Sequence, residues 1–390
     1  MDASALKELA AKRHDDFVEA LREIVNIDSG SYSPDGVSRV ADACEARFRE
    51  RGWAVERLSH RPGAGERQLG DLAIGRLAGG GGPRILLIGH TDTVFDDGTT
   101  AERPFSIEGD RAYGPGVSDM KGGLLLAFFA VEVLQEAGFD GFARITYVCN
   151  PDEEIGSPWS RAFIEREAGD ADVAFVLESG RENGDIVSSR KGVSDYQIEI
   201  VGRAAHAGVE PERGRSAIVE GAHKILALHG LNGRWPGVTV NAGVVHGGTR
   251  TNVVAERCSI EVDLRSPEES SLQKVEAEVE RIAASHTVPD VSATWTGGKW
   301  HRPMERREGG ARLASLASEI AQELGFTVAD AATGGASDAN TTSAAGVPTL
   351  DGLGPVGGND HSPTEWMDLT SVVPRMALVA GLMSRAGAVL

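Results

Sequence analysis

Arg84-Ile85-Leu86-Leu87-Ile88-Gly89-His90-Thr91-Asp92-Thr93-Val94 is the stretch from which the fold is read. Its first five residues form a short, mostly apolar run bounded by Pro83 and Gly89, the pattern of a strand buried on both faces. A histidine and an aspartate follow at once. The arrangement recurs along the chain. Residues 143–149 are a second buried run, followed by Asn150-Pro151-Asp152-Glu153-Glu154-Ile155-Gly156-Ser157; Ala174-Phe175-Val176-Leu177 leads into Glu178-Ser179. A short strand at 347–350 precedes a glycine-rich loop that ends in Asn359-Asp360-His361-Ser362. Amphipathic helices are expected at 4–26 and 38–52, with others at 121–137, 309–324 and 370–386. Strands alternating with helices predict an α/β fold, with a largely parallel sheet and helices on both faces.

Residues 192–300 follow another pattern. Tyr196, Ile198 and Ile200 alternate with polar residues, as do Cys258, Ile260, Val262 and Leu264. Period-two alternation predicts a sheet with one wet face. With helical patterns near 214–229 and 267–285, the order is strand, helix, strand, strand, helix, strand, that of a ferredoxin-like α+β domain. Flanked on both sides by α/β pattern, it is expected as an insertion, which divides the chain into 1–191, 192–300 and 301–390. The Gly79–Gly82 run is a turn and not a phosphate loop, because no Gly-Lys-Ser/Thr follows it.

With 390 residues the chain is long enough for two cores. The formal net charge of −19 argues against nucleic acid or an anionic membrane as a partner. Cys44, Cys149 and Cys258 are scattered, which disfavours a thiolate metal site and a disulfide scaffold. The N-terminal residues show no basic patch followed by an apolar run, and no apolar stretch matches a membrane span, so the expected location is the cytoplasm.

In an open α/β sheet, ligands bind beyond the carboxyl ends of the strands. His90, Glu153-Glu154, Glu178 and His361 all fall there, and Asp119 lies just before the 121–137 helix. Two imidazoles and several carboxylates without thiolates suit zinc, manganese or cobalt. Three carboxylates and one hydroxide balance two divalent ions, so a binuclear centre fits His90, Asp119, Glu154, Glu178 and His361 better than a single ion. Asp119 is the natural bridge. Asp92, two positions after His90, is placed to take the second imidazole N–H. Glu153 is left over, as a general base beside a metal site must be. Each residue also has a plainer reading: Asp119 as a helix cap, Glu153-Glu154 as a solvated turn, Arg265 as the ion-pair partner of Asp263.

The motifs Gly89-His90-Thr91-Asp92-Thr93-Val94, Tyr113-Gly114-Pro115-Gly116-Val117-Ser118-Asp119-Met120-Lys121-Gly122-Gly123 and Asp152-Glu153-Glu154-Ile155-Gly156-Ser157, together with the late His361, resemble the M20 family of metallopeptidases, in particular its glutamate carboxypeptidase branch. The resemblance spans nearly the whole chain. It implies a zinc-peptidase catalytic domain with two zinc ions on the five residues above, cobalt or manganese being alternatives. Glu153 is then the base and Asp92 the orienting acid. It makes the 192–300 insertion a lid and dimerisation domain, with His206 in Gly202–Gly208 stabilising the oxyanion, often across a dimer. Asn252 and Arg265 lie in segments that hold the substrate carboxylate in relatives, and Gly334–Ala339 matches a substrate-binding turn. Lys191 and Arg302, at the domain junctions, are further candidate specificity residues. The expected activity is hydrolysis of an amide bond in a small peptide or N-acyl amino acid with a free carboxylate, as in a glutamate carboxypeptidase. The alternatives are an N-acyl amino acid deacylase or dipeptidase of the same family, and a silent metal-stabilised binding protein.

Overall fold

Ile85–Ile88 is the middle of a sheet, because four successive aliphatic residues can be buried only where both faces are covered. The computed structural model describes residues 1–390, except for the Lys299 side chain. The chain opens with three helices: α1 (Ala3–Lys12), α2 (His14–Val25) and α3 (Pro34–Glu50). The strands β1 (Ala54–Leu58), β2 (Leu72–Ala78) and β3 (Arg84–His90) follow. Next come α4 (Gly122–Glu136), β4 (Arg144–Asn150) and β5 (Val173–Val176). These strands and Thr349–Leu350 form a six-stranded sheet in the order β1-β2-β4-β3-β5 and then Thr349–Leu350. The β4–β3, β3–β5 and β5–Thr349 pairings are parallel, whereas β1–β2 and β2–β4 are antiparallel. Three of the five pairings are parallel, as expected of a largely parallel sheet, and the antiparallel strands at one edge make it mixed.

Two element boundaries differ from the sequence reading. The helix expected over 4–26 breaks at Arg13 into α1 and α2, although neither glycine nor proline marks the break. The helix expected from 38 begins at Pro34, where proline suits a first turn that needs no N–H donor. Leu124–Leu134 of α4, Ile85 and Leu87 of the sheet and Met376–Met383 of the closing helix Val372–Arg385 belong to one buried core. Cys149 is part of it, and all three cysteines are buried and free.

The chain divides into two compact units. One comprises Met1–Ser188, Arg306–Ala332 and Ser337–Leu390; the other comprises Ser189–Glu305 and Thr333–Ala336. The second unit contains β6 (Gly192–Val201), α5 (Ala217–His229), β7 (Thr239–Gly247), β8 (Arg257–Ser266), α6 (Glu269–Ala284) and β9 (Ser292–His301). Its sheet is antiparallel throughout, in the order β7-β8-β6-β9. Tyr196, Ile198 and Ile200 point inward with Ile260, Val262 and Leu264, onto Leu272, Val275 and Val279 of α6. Among the described residues, no helix is long and apolar enough to cross a membrane.

Candidate metal centre

Three neighbouring parallel strands, β4, β3 and β5, end at one edge of the sheet, and each passes directly into a site residue. His90 is the last residue of β3. Asp152-Glu153-Glu154 follow β4, and Glu178 lies two residues past β5. Asp119 comes from the turn before α4. The start of α4 must approach the end of β5 very closely: a Cβ on Gly123 would lie 1.8 Å from the Leu177 carbonyl oxygen, so only glycine fits beside the residue that presents Glu178. His361 arrives from the far end of the chain. Gly357–Gly358 pairs with Trp366–Asp368, which pairs with Arg111–Tyr113, and this small antiparallel sheet carries the His361 loop to the Asp119 turn.

Asp119 lies between the two imidazoles. Its Oδ1 is 3.1 Å from His90 Nε2 and its Oδ2 is 3.0 Å from His361 Nε2. His361 Nε2 is also 3.2 Å from Glu154 Oε2, and His90 Nε2 is 3.8 Å from Glu178 Oε1. Asp119 does not cap α4, whose N-cap has no side-chain hydrogen bond. His90 Nδ1 lies 2.9 Å from the backbone oxygen of Asp92 and 3.3 Å from its Oδ1. The buried Asp92 carboxylate also accepts hydrogen bonds from Ser31 Oγ at 2.7 Å and from the backbone N–H groups of Glu153 and Glu154 at 3.1 and 3.2 Å. It therefore fixes both the imidazole and the turn that carries the two glutamates.

The ionisation of the cluster follows from this crowding. Burial opposes charge on Asp119, yet the hydrogen bonds from His361 and His90 hold its pKa far below the usual carboxylate range. Hydrogen bonds to Asp119 and Glu154 raise His361 to about 11. Burial disfavours charge on His90, but Asp119 and Asp92 outweigh it and its pKa lies well above that of an ordinary imidazole. Burial, with the charge of Asp119, pushes Glu154 up to about 7; burial, with the charge of Glu178, pushes Glu153 well above the normal glutamate value.

This donor set fits a cation. Ligand atoms of His90, Asp119 and Glu154 lie within 4.8 Å of one another, as do those of His90, Glu153 and Glu178. Glu154 Oε1 is buried without a hydrogen-bond partner. An orphaned carboxylate oxygen aimed into a pocket of imidazoles and acids is costly unless a positive ion completes it. Glu153 stands close enough to His90 and Glu178 to touch such an ion, whereas the sequence reading left it outside the ligand set.

The remaining expected residues belong to the second unit. His206 is exposed, with its Nδ1 accepting the Gly208 N–H at 3.2 Å. The exposed Asn252 receives the Ala207 N–H on its backbone oxygen at 2.9 Å. Arg265 pairs with Asp263 at 3.0 Å, the ion pair of the plainer reading, and also donates to Gly334 O at 2.8 Å. The Lys191 backbone N–H donates to Thr333 O at 3.1 Å, and Arg302 is exposed.

Glu365 is a residue the sequence reading passed over. It is buried, and its carboxylate accepts the backbone N–H groups of Gly116, Ser118 and Asp119 at 3.0, 2.8 and 3.0 Å. Burial raises its pKa to about 8 in spite of these three donors. The only signal in the sequence is its place four residues after His361. Asp338 is similar, buried with hydrogen bonds from Ser157 Oγ at 2.6 Å and Asn150 Nδ2 at 2.8 Å, which tie down the end of β4 and the turn after it.

The chain is similar to known proteins along most of its length. The sequence signature of peptidase family M20/M25/M40 matches residues 86–385. Carboxypeptidase G2 from Pseudomonas sp. (strain RS-16) is 29% identical over 374 residues, 95% of this chain and 89% of its own. Acetylornithine deacetylase from Erwinia tasmaniensis is 28% identical over 313 residues, 74% of this chain and 77% of its own. The solved structure of a tripeptidase from Staphylococcus aureus superposes with a TM-score of 0.81 at 21% identity, covering 96% of this chain and 99% of the other. The three strand ends, the turn before α4 and the His361 loop all lie within the matched region, and the chain belongs to peptidase family M20/M25/M40 as one of its metallohydrolases.

Proposed function

We propose that the chain hydrolyses the amide bond of an N-acyl or peptidyl amino acid with a free carboxylate and glutamate-like character. Two divalent ions, zinc in the first instance, would be held by His90, Asp119, Glu154, Glu178 and His361, with Asp119 shared. The observation that carries this reading is the Asp119 carboxylate set between two imidazoles through different oxygens. When bound, such ions polarise the scissile carbonyl and acidify water. Glu153 takes a proton from the attacking water and passes it to the departing amine nitrogen; burial, which raises its pKa, makes its carboxylate a stronger base. Asp92 keeps His90 in one tautomer. The family resemblance assigns oxyanion stabilisation to His206 and the substrate carboxylate to Arg265 and Asn252, with Lys191 and Arg302 as outlying contacts.

The resemblance also makes residues 192–300 the contact of a homodimer. β7 is an edge strand that exposes Val244 and Val245, and the neighbouring α5 exposes Ile218, Val219 and Leu226. An apolar edge of this kind is normally covered by another chain.

The test is to strip the protein of metal, add zinc, cobalt or manganese, and count bound ions while assaying amine release from a panel of peptides and N-acyl amino acids. Two ions per chain with hydrolysis of N-acyl glutamates are expected. One ion or none under zinc-replete conditions overturns the binuclear reading. Preference for N-acetyl amino acids over peptides would turn the assignment to a deacylase, in keeping with the name of the acetylornithine relative.

A further inference from the structure

Next to Glu154 the catalytic unit holds a cavity of about 550 Å³ that none of the roles above uses. It opens between the connection from β1 to β2 and the turn after Ile155. Its size is that of a pocket for a small organic group. Tyr32, His60 and Trp159 supply aromatic walls, and Arg61 and Arg67 supply charge. A second cavity of about 290 Å³, lined by Glu154, Asp96, Asp97 and Thr93, shares Tyr32 and Ile155 with the first, so that the arginines stand only at the larger one. Both cavities thus border Tyr32 and Ile155, and the smaller one also borders the ligand candidate Glu154.

The walls are held in place. The His60 and Trp159 rings lie with centroids 5.0 Å apart, and Trp159 packs edge-on against Phe163 at 5.6 Å. His60 Nδ1 accepts the Leu69 N–H at 3.1 Å, which leaves Nε2 to carry the ring proton of the neutral imidazole. The Arg67 guanidinium carbon lies 4.4 Å from the Tyr32 ring centroid. Neither Arg61 nor Arg67 has a carboxylate partner among the described residues, although the net charge of the chain is −19. Glu66, the one carboxylate in the lining of the larger cavity, accepts the Gly63 N–H at 2.7 Å. Arg67 over the Tyr32 ring, with Arg61 in the same lining, suits a flat anion, since aromatic faces recognise planar groups and the arginines add charge complementarity.

We infer that this cavity binds the acyl half of the substrate and selects acyl groups that are both planar and anionic, such as an aryl carboxylate. The inference rests on the amide-hydrolase reading, in which the amine half carries the free carboxylate and is assigned to Arg265 and Asn252. The acyl half is then assigned to the catalytic unit, where Ile155, one residue after Glu154, lines the cavity.

The experiment uses zinc-loaded protein and four substrates with one common amino acid, acylated with acetyl, succinyl, benzoyl or 4-carboxybenzoyl. The expected order of kcat/KM has 4-carboxybenzoyl first and acetyl last. Trp159→Ala and Tyr32→Ala should each lower kcat/KM for the two aromatic substrates by about three- to tenfold and leave acetyl within about twofold. Arg61→Ala with Arg67→Ala should remove only the advantage of the added carboxylate. Equal use of all four substrates, or loss of acetyl turnover in step with the rest, overturns the inference while the hydrolase reading stands. Sensitivity of N-acetylphenylalanine, but not of the benzoyl substrate, to Trp159→Ala places the amine half in the cavity and also overturns it. Binding of terephthalate, followed by tryptophan fluorescence with Trp159→Phe as the reference, needs no turnover. A terephthalate signal that vanishes in Trp159→Phe, in protein that hydrolyses none of the panel, supports the cavity and sinks the hydrolase reading; absence of the signal counts against the cavity.

Discussion

Asp119 meets an imidazole with each oxygen, and in the metal-free chain these contacts are ion pairs that protons maintain. The pKa values of His361, about 11, and of His90 lie above the ordinary imidazole value of 6.5. The stabilisation they give is therefore complete below pH 6.5 and fades as the pH rises toward 11. A divalent cation must displace those protons. Zinc binding near pH 7.5 should thus release about two imidazole protons per chain, with further release from Glu154, and apparent affinity should rise with pH. Calorimetry in buffers of different ionisation enthalpy measures the release; binding heats that do not depend on the buffer would contradict it. Glu153 poses a separate question, because it can reach the ion and also serve as base. Glu153→Gln is expected to keep both ions and lose activity by roughly 10²–10⁴-fold. Metal analysis alongside kinetics separates the roles, since loss of an ion in this variant would make Glu153 a ligand.

Among the elements, the small sheet that joins Gly357–Gly358, Trp366–Asp368 and Arg111–Tyr113 ties the His361 loop to the Asp119 turn, and Glu365 fastens the two together through three backbone N–H groups. Glu365→Ala leaves those donors buried and unpaired, at a cost of about 1–3 kcal/mol for each group left unmade. The variant should melt earlier and hold zinc more weakly, whereas Glu365→Gln, which keeps an acceptor oxygen, should recover much of the affinity. Equal zinc affinity in wild type and Glu365→Ala, by competition with a chelator, would remove this role. The sequence did not reveal Glu365, because its partners are backbone groups nearly 250 positions away and a lone acid after Ser362-Pro363-Thr364 looks like a loop residue. The central strands were legible for the opposite reason, as β3, β4 and β5 are mostly apolar runs that are buried almost end to end. The antiparallel edge was not: Ala54–Leu58 carries Glu56 and Arg57, and Leu72–Ala78 is interrupted by Gly75 and Arg76, so neither has the continuous pattern of its neighbours. His90, Asp119, Glu154, Glu178 and His361 could be grouped in advance because strand ends gather ligands, and the structure brings all five together.

For the whole molecule, the exposed apolar edge of β7 and α5 bears on assembly. Val245→Lys with Leu226→Glu should shift a dimer to monomer by light scattering and raise the dissociation constant by at least about tenfold, given the roughly 1.5–3 kcal/mol that a buried aliphatic side chain contributes. Mixing His206→Ala chains with Glu153→Gln chains should restore activity where the histidine serves the partner's centre; no recovery after verified subunit exchange would assign it to its own chain. The route of the chain through the centre also has a consequence for its synthesis. His90, Asp119, Glu154 and Glu178 are translated first, the second unit follows, and His361 comes only after both, while α1 packs on Val372–Arg385 near the other terminus. A nascent chain can therefore fold most of its first sheet with Asp119 facing a single imidazole. The complete centre belongs to the finished polypeptide, and a ribosome stalled anywhere in the second unit holds a product that cannot retain a full metal complement.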